Sequence, residues 1–450
     1  MTLTAAPDQA QQRLLSPAYA ATTLGMFALC AFVAFEATAV VTVMPTVADQ
    51  LDGIGLYALS FAAPLASGVV GMVAAGSWSD RRGPAAPLAV SLVLFAAGLV
   101  VCGLAPTMEV LVAGRFLQGL GGGALTVCLY VLVGLVFPQA LRPAVFTSFA
   151  AAWVLPTLFG PALAAWVAHA VGWRWVFLGV VAMVAGAAAL VAPSLRGLET
   201  RAAGSRAPRS RLAWAVAGAA AILALDLLGS REGAIALLSV VAAALVLVSL
   251  GRLAPSGTLA LRRGLPAVIA TRGLLAGTFF CGETYIIFVL QARWGLSAGI
   301  AGLALTGVGL SWTAGSWVQS RLARHLGDTA AMSYGSVLVL AGILGLTTTV
   351  VVHPHQALAV TAYVIAGAGM GLGYPRTSVA MLADSSDSDR GFNSAALSIA
   401  DSMGGALTIA ASGVAFAVAT RAGADPFVAA LAVGCAAGVL ALASAVRTGG

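Results

Sequence analysis

Long apolar runs separated by short polar turns dominate the chain. Fourteen runs of 18 residues or more are largely apolar, and an α-helix needs about 20 residues to span a bilayer. The runs are 19–45, 56–78, 87–105, 109–137, 143–170, 175–192, 212–229, 234–251, 265–292, 297–320, 331–352, 356–383, 391–420 and 427–446. This pattern predicts an all-α polytopic membrane protein with fourteen crossings.

The polar stretches between the runs divide the chain. Residues 1–18 are polar and lack the apolar core of a cleavable signal, so we expect them to remain as a cytoplasmic N-terminal tail. Residues 193–211 carry five Arg and one Glu among Pro, Gly and Ser, which is typical of a basic cytoplasmic linker. We therefore predict an N-terminal six-helix bundle over 19–192, two linker transmembrane helices over 212–251, and a C-terminal six-helix bundle over 265–446.

Charge is scarce and unevenly distributed. Only 9% of the residues are charged, whereas soluble domains carry about 25%. The net charge of +7 comes from arginines spread over many short loops, so no nucleic-acid partner is expected. With the N-terminus inside, sixteen arginines fall on the inner side and four on the outer side, which follows the positive-inside rule. We predict a multi-pass protein of the plasma (inner) membrane with both termini cytoplasmic. The five cysteines sit singly, so no metal site is expected.

A weak internal repeat relates the two ends of the chain. FEATAVVTVMP at 35–45 is similar to CGETYIIFVLQ at 281–291, which places Glu36 opposite Glu283. Parallel repeats of this kind are a transporter architecture, in which the substrate site lies between the halves near the membrane midplane.

Glu36 is the only charge in the first apolar run. A charged group at the bilayer centre is disfavoured by roughly 2.5 kcal/mol or more, so such an acid is a candidate functional residue. Burial disfavours the charged form of a carboxyl and a nearby Arg favours it. A carboxyl held between these influences can load a proton on one side and release it on the other. Arg115 lies at a similar depth and is the candidate partner; the alternative is a structural ion pair that never titrates.

Other intramembrane side chains are candidates for the substrate cavity. Glu283 could carry a second proton or bind a cationic group of the substrate. Aromatic rings near such an acid could hold a lipophilic cation through cation–π contacts. The predicted cavity residues are Glu283, Tyr285, Trp153, Trp312 and Phe279.

Two further charged groups lie at matched depth. Arg376 and Asp401 are each roughly 12–15 Å from the cytoplasmic ends of their helices. We predict that they pair, because isolated charges there would be costly. The pair would lock the fold or gate the cavity. Asp226, near the outer end of the first middle helix, is expected to reach water and is given no role.

The Gly119–Gly123 cluster follows no strand, so a dinucleotide-binding loop is not expected and close helix packing explains it better.

Four short motifs resemble one transporter family. The motifs are the first-helix stretch FEATAVVTVMP, the loop GSWSDRRG at 76–83, the fourth-helix stretch RFLQGLGGG at 115–123 and the fifth-helix stretch WVLPTLFGPALAAW at 153–166. Together they resemble the major facilitator superfamily, in particular its fourteen-helix drug:proton antiporter branch. Ala164 and Ala165 stand where the branch has Gly-Gly, and Glu36 stands where it has Asp.

The resemblance implies a fold and several residue roles. The fold is two six-helix pseudo-symmetric bundles plus two extra central helices. Asp80 and Arg81 would form a charge cluster at the cytoplasmic hinge that latches the halves during alternating access. Glu36 would carry the coupled proton and Arg115 would tune it. Helix-packing roles would fall on Gly76, Gly160 and Pro161.

We therefore expect a proton-coupled antiporter that exports lipophilic small molecules, with cations as one candidate class. It would work as a monomer, without a cofactor, on the proton gradient, since no nucleotide-binding motif is present. One alternative keeps the fold and exports a specific lipid or native metabolite. A membrane-embedded enzyme is disfavoured because no HExxH motif occurs and all four His lie at helix ends or in loops. A non-transporting sensor or partner subunit is the third alternative, and it would tolerate substitution of Glu36.

Overall fold

The computed structural model describes residues 14–195, 209–231, 234–322, 325–386 and 389–449. In these ranges the chain forms fourteen α-helices and no β-strand. The helices are α1 Ala20–Gln50, α2 Tyr57–Arg82, α3 Ala85–Gly103, α4 Met108–Val136, α5 Arg142–Ala170, α6 Arg174–Val191, α7 Arg209–Gly229, α8 Ala234–Leu253, α9 Leu265–Trp294, α10 Ala298–Arg321, α11 Asp328–Val352, α12 Gln356–Ala383, α13 Arg390–Arg421 and α14 Pro426–Ala445.

Each predicted apolar run corresponds to one of these helices. Over the described residues, thirteen are long and apolar enough to cross a bilayer, and α8 contributes a shorter apolar stretch, Leu237–Leu253. The first helix does not end at Pro45 but continues to Gln50. Most of the predicted tail and linker falls on 1–13 and 196–208, outside the described residues.

The two sets of six helices pack in the same pattern. In the first set α1 lies against α5 and α6, α4 against α2 and α3, and α3 against α6. In the second set α9 lies against α13 and α14, α12 against α10 and α11, and α11 against α14. The pairings match one for one, so the predicted pair of pseudo-symmetric six-helix bundles is confirmed. The extra helices α7 and α8 pack on each other, and α7 also lies against α2 and α13.

Glycines allow the tightest of these crossings. A Cβ built at Gly123 of α4 would lie 2.7 Å from the Cα of Gly68 in α2. One built at Gly121 would lie 2.7 Å from the Cα of Phe95 in α3. Helices in lipid associate through such small residues, because they let the backbones approach closely. The glycine cluster of α4 therefore serves helix packing.

The two halves meet at one side of the membrane. We call the side at which the odd-numbered helices begin the inner side, as the arginine distribution predicts, and the opposite side the outer side. The hydroxyl of Tyr57, at the outer end of α2, donates to the carbonyl of Thr284 in α9 at 2.7 Å. Thr306 of α10 donates to the carbonyl of Leu158 in α5 at 3.2 Å. Among the described residues both hydrogen bonds between the halves lie in the outer half of the bundle, so the outer side is closed.

Candidate functional site

Glu36 of α1 and Arg115 of α4 form an ion pair inside the N-terminal half. Their side chains are only 8% and 6% exposed, so this pair is removed from both aqueous sides. Glu36 lies fourteen residues before the outer end of α1, at Gln50, which corresponds to roughly 21 Å along the helix. The sequence placed the two groups at similar depth, and the packing of α1 beside α4 brings them together.

Arg115 has two further partners besides the carboxylate. Its Nη1 donates to Oε1 of Gln118 at 2.8 Å, one turn along α4. Its Nε donates to the carbonyl of Ser60 in α2 at 3.0 Å. That carbonyl lies four residues before Pro64, which has no N–H to donate to it. A proline in α2 thus frees the backbone acceptor that helps to hold the arginine in place.

The glycine–proline motif of α5 lies directly beside the acid-bearing helix. A Cβ built at Gly160 would be 2.7 Å from the hydroxyl oxygen of Thr38, two residues after Glu36. The next residue, Pro161, faces α10, where a Cβ at Gly302 would be 3.2 Å from the proline Cβ. Gly160 and Pro161 therefore sit at a junction of α1, α5 and α10, which joins the acid's helix to the opposite half.

The predicted cavity residues do not form one cage. Phe279 stacks on Tyr363 at 5.3 Å and meets Trp312 edge-on at 5.2 Å, on the side of α9 that faces α10 and α12. Tyr285 belongs to a separate aromatic cluster on the outer side, where it lies 5.9 Å from Phe416. Trp153, on α5, is 46% exposed and lies in neither cluster. Phe279 and Tyr285 are separated by six residues of α9, which is about 9 Å along the helix and about 240° around it. The rings of the predicted cavity residues therefore do not form one cluster.

Glu283 differs from Glu36 in having no counter-ion. It is partly exposed and, among the described residues, has neither an ion pair nor a hydrogen bond. The internal repeat places it opposite Glu36, yet the C-terminal half supplies no arginine opposite Arg115. GLGGGALT at 119–126 is similar to GMGLGYPR at 369–376, an offset of 250 residues that places Ile365 opposite Arg115, and the nearest arginine in α12 is Arg376. The carboxyl is thus free to interact with a bound molecule.

The predicted pair of Arg376 and Asp401 is wrong. Arg376 bonds Asp328, at the first turn of α11, at 2.7 Å. Asp401 bonds Arg272 of α9 at 2.8 Å. Each residue is paired, but with another partner, because equal depth does not place two side chains on facing sides of their helices.

Arg272 is the functional-site candidate that the sequence reading missed. Its guanidinium lies 3.3 Å from the ring centroid of Tyr374, whose hydroxyl donates to Asp401 at 2.8 Å. Its Nη1 donates to the hydroxyl of Thr377 at 3.1 Å. Residues 374 and 377 lie on one face of α12, whereas 376 is about 200° around the helix from 374 and faces α11. An arginine inside the membrane needs a partner just as an acid does. Applied to the sequence, this rule would have identified Arg272 as a candidate.

The loop motif forms no latch in this conformation. Asp80 and Arg81 are exposed, and Arg81 donates to the carbonyl of Ser77 on its own helix, at 2.9 Å. Among the described residues Asp80 has no ion-pair partner. Gly76 is not at a close crossing either, since a Cβ there would meet only Val127, at an ordinary 3.8 Å. The expectation of tight packing at Gly76 is therefore wrong for this conformation, in which the halves meet at the outer side.

Asp226 does not reach water as expected. It is only 3% exposed, because α7 packs against α2 and α13 over its outer half.

This arrangement of paired six-helix bundles agrees with comparisons to known proteins. The family model described as Major Facilitator Superfamily matches residues 26–409. The chain belongs to the major facilitator superfamily. Among curated relatives, the multidrug transporter protein MdtP of Bacillus subtilis is 25% identical over 405 residues, covering 86% of this chain and 73% of that protein. Multidrug resistance protein 3 of Bacillus subtilis is 31% identical over 144 residues, covering 32% of this chain and 28% of that protein.

Solved structures share the fold at low sequence identity. An auto-inhibited peptide transporter of the POT family superposes with a TM-score of 0.68 at 16% identity, covering 95% of this chain and 96% of that one. The xylose transporter XylE from E. coli superposes with a TM-score of 0.62 at 15% identity, covering 94% and 97%. Family and fold make this chain a multi-pass membrane transporter of small molecules and not an enzyme.

Proposed function

We propose that this transporter is a proton-coupled antiporter that exports lipophilic small molecules, cations among them, across the plasma membrane. The observation that carries the proposal is the buried pair of Glu36 and Arg115. The names of the multidrug relatives support the same substrate class. Both termini would be cytoplasmic, the monomer would be the working unit, and the proton gradient would supply the energy.

The contacts of Arg115 suit a carboxyl that changes its protonation state. In a simple structural pair, protonation of the acid leaves the arginine as an uncompensated buried charge, which is strongly destabilising. Here the guanidinium keeps two other acceptors, Gln118 Oε1 and the Ser60 carbonyl, when Glu36 takes a proton. Glu36 can therefore bind and release a proton while Arg115 stays hydrogen-bonded.

The junction around Thr38 offers a route from that proton to the movement of the halves. Thr38 follows Glu36 by two residues and lies against Gly160, and Pro161 lies against Gly302 of the opposite half. A small shift of α1 on protonation would act on the contact between α5 and α10. The halves would rock about the midplane site, and Asp80 and Arg81 would find partners when the inner side closes.

Substrate would bind between the halves on the inner side of these contacts. Glu283 has no counter-ion among the described residues and could pair with a cationic group. The half-buried ring of Trp312 and the exposed ring of Trp153 could cover the apolar part of such a molecule.

The test uses inside-out vesicles energised to an acid interior, with a pH-sensitive dye as the reporter. Lipophilic cations, neutral drugs and lipids are added to wild type, to Glu36→Gln and to Glu109→Gln, which removes an exposed acid from α4. We expect some cations or drugs to dissipate the gradient in wild type and Glu109→Gln but not in Glu36→Gln. Dissipation by lipids alone would favour the lipid exporter. Equal activity of Glu36→Gln and wild type would refute the role of Glu36.

A further inference from the structure

The helix α7 covers the seam between the two halves on the outer side. It packs against α2 of the N-terminal half and α13 of the C-terminal half. After α7 ends, the carbonyl of Ser230 accepts a hydrogen bond from Arg421 at the outer end of α13, at 2.6 Å. Any opening of the outer side that separates α2 from α13 must therefore change the surroundings of α7.

A cavity of about 1140 Å³ lies in this seam. Its wall includes Tyr57 and Ala58 of α2, Leu223 and Leu227 of α7, and Gly413 of α13. Its rim carries the charged side chains of the outer surface, namely Asp52, Glu109, Arg231 and Arg421. The rim charges show that the cavity connects the outer surface with the contact between α2 and α13.

Asp226 lies where α7, α2 and α13 converge. A Cβ built at Gly413 would collide with Oδ1 of Asp226 and would lie 2.6 Å from the Cβ of Ala58. Ala58 and Gly413 both line the cavity, and Leu223 and Leu227 flank Asp226 along α7. Among the described residues this 3% exposed carboxyl has no ion pair and no hydrogen bond.

The charged and titratable groups around Asp226 leave it without a close counter-ion. From α2 the nearest such group is Tyr57, whose hydroxyl is already bound to Thr284. From α9 it is Tyr285, which contacts Ser412. Arg421 of α13 lies eight residues beyond Gly413 and bonds Ser230, and in the described part of α8 Arg252 lies at the inner end. The Glu109 and Asp52 carboxylates and Arg231 lie at the cavity rim.

We propose that Asp226 is a second proton-binding site, which holds a proton taken from the outer solution while the seam between α2 and α13 is closed. An unpaired carboxylate in an apolar seam is costly, so the closed seam favours the acid form. Separation of α2 from α13 exposes the carboxyl to the water of the cavity, where it ionises at neutral pH. The outer-closed conformation then binds one more proton than the outer-open one.

The linkage between proton binding and conformation sets the direction in which pH shifts the balance between the outer-open and outer-closed conformations. Raising the pH favours the conformation that binds fewer protons, so alkaline solution on the outer side favours opening and acid favours closing. One linked proton changes the ratio of open to closed molecules by at most about tenfold per pH unit. The inference rests on the alternating access of the proposed function but not on Glu36 as the proton carrier.

The test measures a distance across the outer seam in nanodiscs by pulsed electron spin resonance. Spin labels are placed at Gly55→Cys and Ala422→Cys, both exposed outer positions, in a transport-competent chain whose five native cysteines are replaced. The variants are Asp226→Asn, Asp226→Ala and the matched control Asp52→Asn at the cavity rim, each with wild-type Glu36 and with Glu36→Gln.

With Glu36→Gln, we expect the open-to-closed ratio to rise at least about fivefold between pH 5 and 8. Asp52→Asn should keep this rise, and Asp226→Asn and Asp226→Ala should each reduce it below about twofold. Ala favours a helix, so one neutral variant is expected to fold. A full pH response in either neutral variant would overturn the Asp226 site. Loss of the pH response in Glu36→Gln with wild-type Asp226 would also overturn the Asp226 site, and the proposed function would stand. If the vesicle assay failed but the pH response still required Asp226, the proposed function would be overturned and the Asp226 site would stand.

Discussion

The hydrogen bond from Arg115 to the Ser60 carbonyl should depend energetically on Pro64. In Arg115→Lys the charge beside Glu36 is kept, but the Nε donor to Ser60 is lost, since a lysine has a single ammonium in place of the guanidinium fork. With Pro64 present, no backbone N–H at that position can replace the lost donor. With Pro64→Ala, the N–H of residue 64 can bond the Ser60 carbonyl as in an ordinary helix.

The magnitude follows from the burial of this carbonyl. A buried acceptor without a partner costs about 1–3 kcal/mol. Arg115→Lys should therefore lower the free energy of unfolding by about 1–2 kcal/mol more in the protein that keeps Pro64 than in the Pro64→Ala variant. The effect of the proline on α2 itself is present in both arms of the cycle and cancels.

The assay is reversible unfolding by SDS in mixed micelles, followed by tryptophan fluorescence, for all four proteins of the cycle. Arg272→Lys combined with Pro64→Ala is the matched control, because the hydrogen bonds of Arg272 among the described residues go to α12 and α13 and none goes to α2. Its cycle should be additive within about 0.5 kcal/mol. If the Arg115 cycle were equally additive, the account of the freed carbonyl would be refuted.

Three other changes test the packing and the gate. Tyr57→Phe removes a buried hydrogen bond between the halves, worth about 0.5–1.5 kcal/mol, so the outer-open population measured by spin-label distances should rise, and an unchanged population would contradict the closure described above. Gly123→Ala should destabilise the protein by about 1–3 kcal/mol in SDS unfolding because its Cβ would meet the backbone of α2. Gly134→Ala, with open space on the same helix, should be neutral or stabilising, so equal losses would argue against close packing. Asp401→Asn leaves Arg272 without its carboxylate and should cost about 1–3 kcal/mol in the same assay, and no loss would mean that the pair does not hold α9 to α13.

The sequence was sufficient to predict the helices and their kinship with a transporter family. A bilayer sets the length of an apolar helix, so the number and approximate bounds of the crossings follow from run length. The chemistry of the central acid was also readable, because Glu36 is the only charge in its run. Its partner Arg115 was found because both depth and motif pointed to it.

The sequence did not predict how each helix is rotated about its axis or which helices are its neighbours. Arg376 and Asp401 have similar depth, yet they bond Asp328 and Arg272 instead of each other. Asp226 was expected at the water surface, because its position in the run says nothing about the two helices that cover it. The sequence also did not show what lies opposite Gly76, where the packing places Val127 of α4 at an ordinary distance.

The sequence by itself thus determined where charge is buried along the membrane normal, since hydrophobic length measures that axis. Only the tertiary structure decided which buried charges are paired, because pairing depends on the faces that neighbouring helices present to one another. The hydrogen bond at the Ser60 carbonyl depends on both the local sequence and the tertiary packing. Pro64 frees it by local covalent geometry, and the packing of α4 against α2 brings Arg115 to it.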